Sequence, residues 1–286
     1  MKQLTVISGK GGTGKTTLTA CFASVAKKSV FADCDVDAAD LHLILEPKIR
    51  KKQLFYGLKI ASINKDKCIK CMKCYNNCRF DAITEEIELK SESCEGCKLC
   101  EYVCPEDAIK MVDRESGYSY ISDTRFGPMV HANLKTAEEA SGKLVTVVRE
   151  NAKKIAEERN KEIVIIDGPP GISCPVISAI SGVDLVLVVT EPTISAILDL
   201  KRVIGVSNHF KIKSIVCINK YDINLKNTKK IEEFCSKKNI EIVGKIPYDT
   251  VFTKALIHKK NIIEYSKGET SEKVVDMWNE IEKKLK

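Results

Sequence analysis

Nothing in this chain of 286 residues is apolar for long enough to span a bilayer, and no charged stretch followed by an apolar one marks a secretory leader. These absences point away from a membrane-spanning or secreted protein, and a cytoplasmic one is expected. A dense block of Lys or Arg is also missing, and the aromatics, only 6% of the chain, do not interleave with the lysines. The net charge of +7 is therefore read as a solvated lysine-rich surface, with no nucleic acid as partner, while other anionic partners are left open.

Cysteine, by contrast, is abundant. Eight of the 13 fall between Cys68 and Cys104 in metal-ligand spacing, which suits reduced thiolates in a reducing compartment better than disulfides. The length allows one large α/β domain, or a medium domain holding a small insert.

Short apolar runs ending in polar or Gly/Pro residues recur along the chain. They are Leu4 to Ser8, "SVFADCD" (29–35), "EIVIIDGPP" (162–170), "DLVLVVTEP" (184–192), "SIVCINKYD" (214–222) and "EIVGKIPYD" (241–249), and helical patterns separate most of them. Strands covered on both faces read this way, so the spacing predicts an α/β fold around a doubly wound, mostly parallel sheet with ligands at the carboxyl ends of its strands. The cysteine-rich stretch interrupts this pattern and holds a repeat, "CRFDAI" (78–83) echoing "CPEDAI" (104–109). It is read as an inserted domain, 54–113, between host segments 1–53 and 114–286. Residues 117–134 look like a β-hairpin leading back to the host, followed by a helix in "SGKLVTVVRENAKKIAEERN".

Gly9 to Thr16, "GKGGTGKT", matches G-x-x-x-x-G-K-[ST] after a strand and before a helix. Backbone N–H groups of Gly9, Lys10, Gly11, Gly12, Thr13 and Gly14 can cradle phosphates at the helix start, with Lys15, Thr16 and Thr17 following. Lys15 reaches the outer phosphates, and the Thr16 hydroxyl can ligate Mg²⁺.

The added Lys10 makes this loop resemble the deviant P-loop of the MinD, ParA and Mrp ATPases and of the nitrogenase iron protein. The resemblance covers most of the chain outside the insert. It implies a homodimer with nucleotide at its interface, in which Lys10 reaches the partner's phosphates as an arginine finger does. It also implies that Asp35, in the switch-like "DCDVDAAD", positions the attacking water, and that Asp167 in "IIDGPPG" holds Mg²⁺. Glycine follows Asp167 where many faster ATPases place a glutamate, so hydrolysis is expected to depend on Asp35, Lys10 and dimer geometry and to be slow and gated, with Lys10, Lys15 and Asp35 as the catalytic residues. "NKYD" (219–222) is ambiguous: N-K-x-D is how GTPases read guanine, whereas in MinD-like ATPases the same asparagine reads adenine. With Lys10 and "IPYD" (246–249) in favour of that family, ATP is expected, with Asn219 and Pro247 on the base side.

C-x₂-C-x₂-C-x₃-C written twice resembles the bacterial two-cluster ferredoxins. The resemblance implies two 4Fe-4S clusters, one on Cys68, Cys71, Cys74 and Cys104, the other on Cys94, Cys97, Cys100 and Cys78. Paired C-x-x-C units also suit zinc, but three evenly spaced cysteines plus a fourth, repeated, exceed what tetrahedral zinc needs. Arg79 stands where a proline usually follows the fourth cysteine. Cys21, Cys34, Cys217 and Cys235 read as buried packing residues. Cys174 lies at the offset of a cluster-ligating cysteine in the nitrogenase iron protein, with no match for that protein's other ligand, and reads either as a packed thiol or as a metal ligand on a dimer axis. The last helix, with Val274, Val275, Trp278, Ile281 and Leu285 on one face, is expected to dock onto the sheet rather than anchor to a membrane.

Together these resemblances imply a cluster-carrying ATPase that matures a client metalloprotein, or an ATP-gated electron donor to a partner metalloprotein. Positioning in the manner of ParA makes no use of the clusters.

Overall fold

The computed structural model describes residues 1–135 and 141–286. Its strands are β1 (Lys2–Ser8), β2 (Ser29–Asp33), β3 (Lys48–Ile63), β4 (Ile109–Asp123), β5 (Pro128–Leu134), β6 (Ile163–Pro170), β7 (Leu185–Thr190), β8 (Ser214–Asn219) and β9 (Glu241–Ile246). The helices are α1 (Lys15–Val25), α2 (Leu41–Leu45), α3 (Lys73–Asn76), α4 (Leu99–Tyr102), α5 (Ser141–Glu158), α6 (Cys174–Ile180), α7 (Ile194–His209), α8 (Leu225–Lys237), α9 (Val251–Ile257), α10 (Ile262–Tyr265) and α11 (Glu269–Leu285). The sheet runs β3-β4-β5-β2-β6-β1-β7-β8-β9, and the pairings from β5 through β9 are parallel.

Two compact units divide the chain, the first comprising Met1–Lys52, Ser119–Asn133 and Ser141–Lys286. Its central strands are apolar almost without interruption because helices cover both faces; every residue of β7 is buried. Four of the six apolar runs read from the sequence outlast their strands at the carboxyl end. β2 stops at Asp33, β7 at Thr190, β8 at Asn219 and β9 at Ile246, so the polar or Pro residues that follow turn away from the ladder. These are the positions where ligands collect in open parallel sheets.

The C-terminal helix docks as the sequence predicts, with one change of register. Val274, Met277, Trp278, Ile281 and Leu285 are buried, while Val275 is only half-buried, since spacings of three and four residues put Met277 on the inner stripe. The Trp278 ring packs 5.3 Å from that of Phe22 on α1. Each such side chain contributes roughly 1.5–3 kcal/mol on burial. Cys21, Cys34, Cys217 and Cys235 are buried as expected, and Cys174 is exposed. The hairpin forms too, with β4 turning into β5 through reciprocal backbone bonds between Thr124 and Gly127.

The second unit contains Gln53–Tyr118 and the described residues Leu134 and Lys135; it ends its long segment at Tyr118, where the sequence places the boundary at 113. Its small core is Ala61, Cys74, Ile83, Ile87 and Ile109, edged by half-buried side chains that include Cys68, Cys94, Cys100 and Cys104. The repeat is written into the backbone. Lys70 pairs with Gly96, Met72 with Lys98 and Asp81 with Asp107, at one constant spacing, and all six have positive φ. The one-turn helices α3 and α4, carrying Cys74 and Cys100, start from near-identical left-handed residues, Met72 (φ 61) and Lys98 (φ 66).

Candidate functional site

The phosphate loop lies between β1 and α1, and Gly14 caps the helix at φ 93. A Cβ there would stand 2.5 Å from Asn219 Nδ2, so glycine is required both by conformation and by space. Asn219 donates through Nδ2 to the Thr13 carbonyl at 2.8 Å and accepts the Lys220 N–H at 3.0 Å, which ties the end of β8 to the loop. No acidic residue occupies the first turn of α1, leaving its N-terminal amides to favour an anion.

Lys15 is buried, and its Nζ stands 2.8 Å from Asp35 Oδ2. Burial by itself would lower the lysine's pKa, but Asp167, Asp35 and Asp33 around it raise it, so it remains charged. Asp167 is fully buried; Thr19 donates to its Oδ1 at 3.1 Å, and the Thr16 hydroxyl also draws its pKa down. Burial, helped by the Asp35 charge, pushes Asp167 up to about 6 against the pull of Lys15 and the two hydroxyls. Asp33 is driven well above the usual carboxylate range, first by burial and then by Asp167 and Asp35. It accepts the N–H groups of Asp35 and Leu41, at 3.2 Å each, and so shapes the switch-like segment.

Two buried side-chain atoms in this cluster lack a protein partner, Asp167 Oδ2 and Thr13 Oγ1. The unpartnered Asp167 Oδ2, with threonine hydroxyls beside it, offers hard oxygen donors of the kind Mg²⁺ takes together with phosphate oxygens and waters. The residues therefore fit a magnesium nucleotide, whose metal Thr16 and Asp167 would hold. Gly168 follows Asp167 because a Cβ would meet Ile7 Cγ2 at 2.6 Å and the Val6 carbonyl at 3.0 Å, so no side chain, glutamate included, fits there without movement.

The nucleotide residues expected from the sequence come together along two cavities of this unit. One is lined by Gly11, Gly12, Gly14, Lys15, Thr16, Thr17 and Asp35, the other by Gly12, Gly14, Thr17, Asn219 and Pro247. Gly9 lies against α7, where a Cβ would stand 2.3 Å from that of Asp199. Lys10 is held within its own chain, Nζ 2.7 Å from Glu191 Oε1, while Lys220 stands 3.4 Å from Glu191 Oε2. Burial would raise the Glu191 pKa, but these two lysines bring it below the usual value. Sequence reasoning missed Asp33, Thr19, Glu191 and Lys220. Only the cluster of charged and hydroxyl residues at strand and loop ends hinted at them.

In the second unit, one small cavity is lined by Cys68, Cys71, Cys74 and Cys104, and another by Cys78, Cys94, Cys97 and Cys100. The Ala82 N–H donates to Cys78 Sγ at 3.4 Å and the Ala108 N–H to Cys104 Sγ at 3.3 Å, at matching places in the repeat. Among the described residues no three His, Cys, Asp or Glu side chains converge closely enough to hold a single ion.

Residues 4–262 match the CobQ/CobB/MinD/ParA nucleotide-binding domain family. The chain belongs to this family. An uncharacterised protein of Methanocaldococcus jannaschii is 35% identical over 98% of this chain and 96% of its own length. The septum site-determining protein MinD of Bacillus subtilis is 26% identical over 91% of this chain and 81% of its own. Among solved structures, MinD of Pyrococcus horikoshii complexed with Mg-ADP is similar in fold, with a TM-score of 0.61 at 18% identity over 99% of this chain and 96% of that one. The ATPase family, the P-loop and the α/β sheet expected from the sequence are thereby established, and members of the family are ATPases. Among the described residues no helix is long and apolar enough to cross a membrane.

Proposed function

We propose that this ATPase carries two 4Fe-4S clusters and that ATP, by closing a homodimer, gates their use in assembling or maturing a metallocofactor in a client protein. The observation that carries the reading is the pair of like-sized cysteine cavities, each drawing three cysteines from one run and the fourth from the other, on a chain with a complete phosphate loop. Cys68, Cys71, Cys74 and Cys104 would hold one cluster and Cys94, Cys97, Cys100 and Cys78 the other. The two N–H···S bonds stabilise thiolate charge at the fourth cysteine of each run. Such clusters supply one-electron redox chemistry.

The remaining steps belong to the chain's own residues. Triphosphate oxygens compete with Asp35 for Lys15, and release from Lys15 lets Asp35 orient a water. Lys10, drawn from Glu191, reaches across to the phosphates of a second copy. Without a carboxylate at Gly168, turnover stays slow.

Delivery of electrons to a partner metalloprotein is a second reading, favoured by the fact that all eight cysteines of the cavities come from one chain, which suits permanent centres. Relatives named as septum site-determining proteins suggest positioning instead. Anaerobic purification with iron analysis and paramagnetic resonance separates these. About eight irons per chain, with cluster potentials that differ between ADP and a non-hydrolysable ATP analogue by some tens of millivolts, are expected. Iron near zero sinks the cluster reading and leaves positioning. Iron present, with potentials and client affinity equal in every nucleotide state, sinks the gating.

A further inference from the structure

The positive charge of the chain is concentrated in one stretch. Of 46 basic and 39 acidic residues, ten and three lie in 201–240, which leaves 36 of each elsewhere, so this stretch carries the whole net charge of +7. It covers the second half of α7, β8 and α8. Strands β7, β8 and β9 are parallel neighbours, so the two right-handed crossovers α7 and α8 lie on the same face of the sheet. Lys201 Nζ, 5.8 Å over the Phe234 ring, joins the two helices.

Two of the ten cations have carboxylate partners, Arg202 at 3.6 Å from Asp199 and Lys220 at 3.4 Å from Glu191. The other eight are exposed lysines with no ion pair among the described residues. Of the three carboxylates in the stretch, Glu232 pairs with Lys245 at 3.1 Å and Asp222 accepts the Tyr248 N–H at 2.7 Å. The lysines also oppose their own helix. The first turn of α8 has no acidic residue, and Lys226, Lys229 and Lys230 stand near its start, where they meet the positive end of the helix dipole. Lys226 and Lys230 are like charges one turn apart. A local rule broken with no gain inside the chain marks a surface kept for a partner.

We propose that the outer face of α7 and α8 is a docking surface for a carboxylate-rich protein. With the rest of the chain neutral overall, this face alone steers and orients an acidic partner. Nine of its ten cations are lysines, point charges on flexible stems, whereas arginine's planar fork is the group of choice for phosphate. Exposed apolar side chains border the lysines at both ends, Ile223 and Leu225 before Lys226 and Phe210 before Lys211. A protein surface can bury them as the core of an interface rimmed by charge, which a phosphate backbone cannot. The inference goes beyond the client reading and depends on neither the clusters nor the dimer.

The test is interferometric binding of the full chain to immobilised poly-L-glutamate, duplex DNA and phosphatidylserine vesicles. The parent should bind polyglutamate most tightly, with an affinity that falls as salt rises. Lys226→Gln, Lys229→Gln and Lys230→Gln together should weaken that binding about tenfold and leave affinity for an ATP analogue unchanged. Because they relieve repulsion, the triple variant should be at least as stable to denaturant as the parent. Lys27→Gln, Lys153→Gln and Lys267→Gln together make the same charge change elsewhere and should bind polyglutamate as the parent does. Equal weakening in both triple variants, a destabilised α8 variant, tighter binding of DNA or vesicles than of polyglutamate, or no binding of polyglutamate would each overturn the proposal. Iron-free protein that still binds polyglutamate through this face would uphold it while the cluster reading falls. Iron-loaded protein that does not bind would overturn it alone.

Discussion

Every residue of β7 in the larger unit is buried under helices, whereas the core of the smaller unit is Ala61, Cys74, Ile83, Ile87 and Ile109 with more cysteines at its edge. The larger unit can lose a polar contact and keep its fold, since its burial is shared among many side chains. The smaller one lacks that reserve. All thirteen cysteines are free, so no disulfide constrains it either, and units of this size without a sufficient core usually need a covalent or metal staple. The same cysteines that line its cavities are also much of its interior. In the smaller unit, on the proposed reading, cofactor and core are one thing; in the larger they are separate.

Removing the metal should break this comparison most visibly. Anaerobic chelation of iron is expected to unfold residues 53–118 while the sheet of the larger unit and its nucleotide binding persist, as read by hydrogen exchange along the chain. Protection of 53–118 that survived iron loss would mean that the small core suffices. The reciprocal change, Lys15→Ala, should abolish nucleotide binding, at least a hundredfold in affinity, with iron content unaltered, because the outer phosphates lose their charged partner. Cys68→Ser should then cost about half the iron and leave ATP affinity as in the parent.

How far the sequence could be read follows the same division. Parallel strands announce themselves as apolar runs, and the glycine-rich loop is a local motif, so β1, α1 and the positions of Lys15 and Asn219 were legible. The run-ends were legible as polar, but not what they bond to. Glu191 follows β7 and meets Lys10 only through the sheet order, and Asp222 reaches Tyr248 across two strand ends. Such contacts depend on crossovers that no local pattern encodes. Val275 was misplaced in favour of Met277 because a helical stripe read from sequence has an uncertainty of about one residue in its phase.

A narrower comparison comes from acid. All four histidines, His42, His131, His209 and His258, lie in the larger unit. His131 on β5 is buried, stacks 6.1 Å from His42 and shares a 3.1 Å hydrogen bond between its Nε2 and Ser122 Oγ. Burial, and then the His42 charge, lower its pKa from 6.5 to about 4. Because the unfolded chain takes up the proton first, this histidine leaves stability intact above pH 6.5 and removes it progressively as pH falls from 6.5 to about 4. The full loss is about 3 kcal/mol. His131→Gln should flatten that part of the stability curve, measured by denaturant titration; an unchanged slope would show that other groups set it.

The smallest expected effect concerns the carboxylate that holds Lys10. Glu191 is partly screened, with 13% of its side chain exposed and 34% of that of Lys10, so the ion pair is worth about 0.2–1 kcal/mol after solvent screening. If Lys10 must leave Glu191 to reach a second copy's phosphates, that amount opposes dimer closure. Glu191→Gln removes the charge and keeps the shape, and should strengthen dimerisation with a non-hydrolysable ATP analogue about two- to fivefold by sedimentation velocity. Lys220→Ala should act in the opposite sense. Lys220 is the second cation on Glu191, 3.4 Å away, and without it Lys10 alone would neutralise the carboxylate and be held more firmly. Opposite shifts from these two variants are what an exchange of lysines on Glu191 requires; equal dimerisation in both, at the level of the parent, would leave the contact between Lys10 and Glu191 with no part in closure.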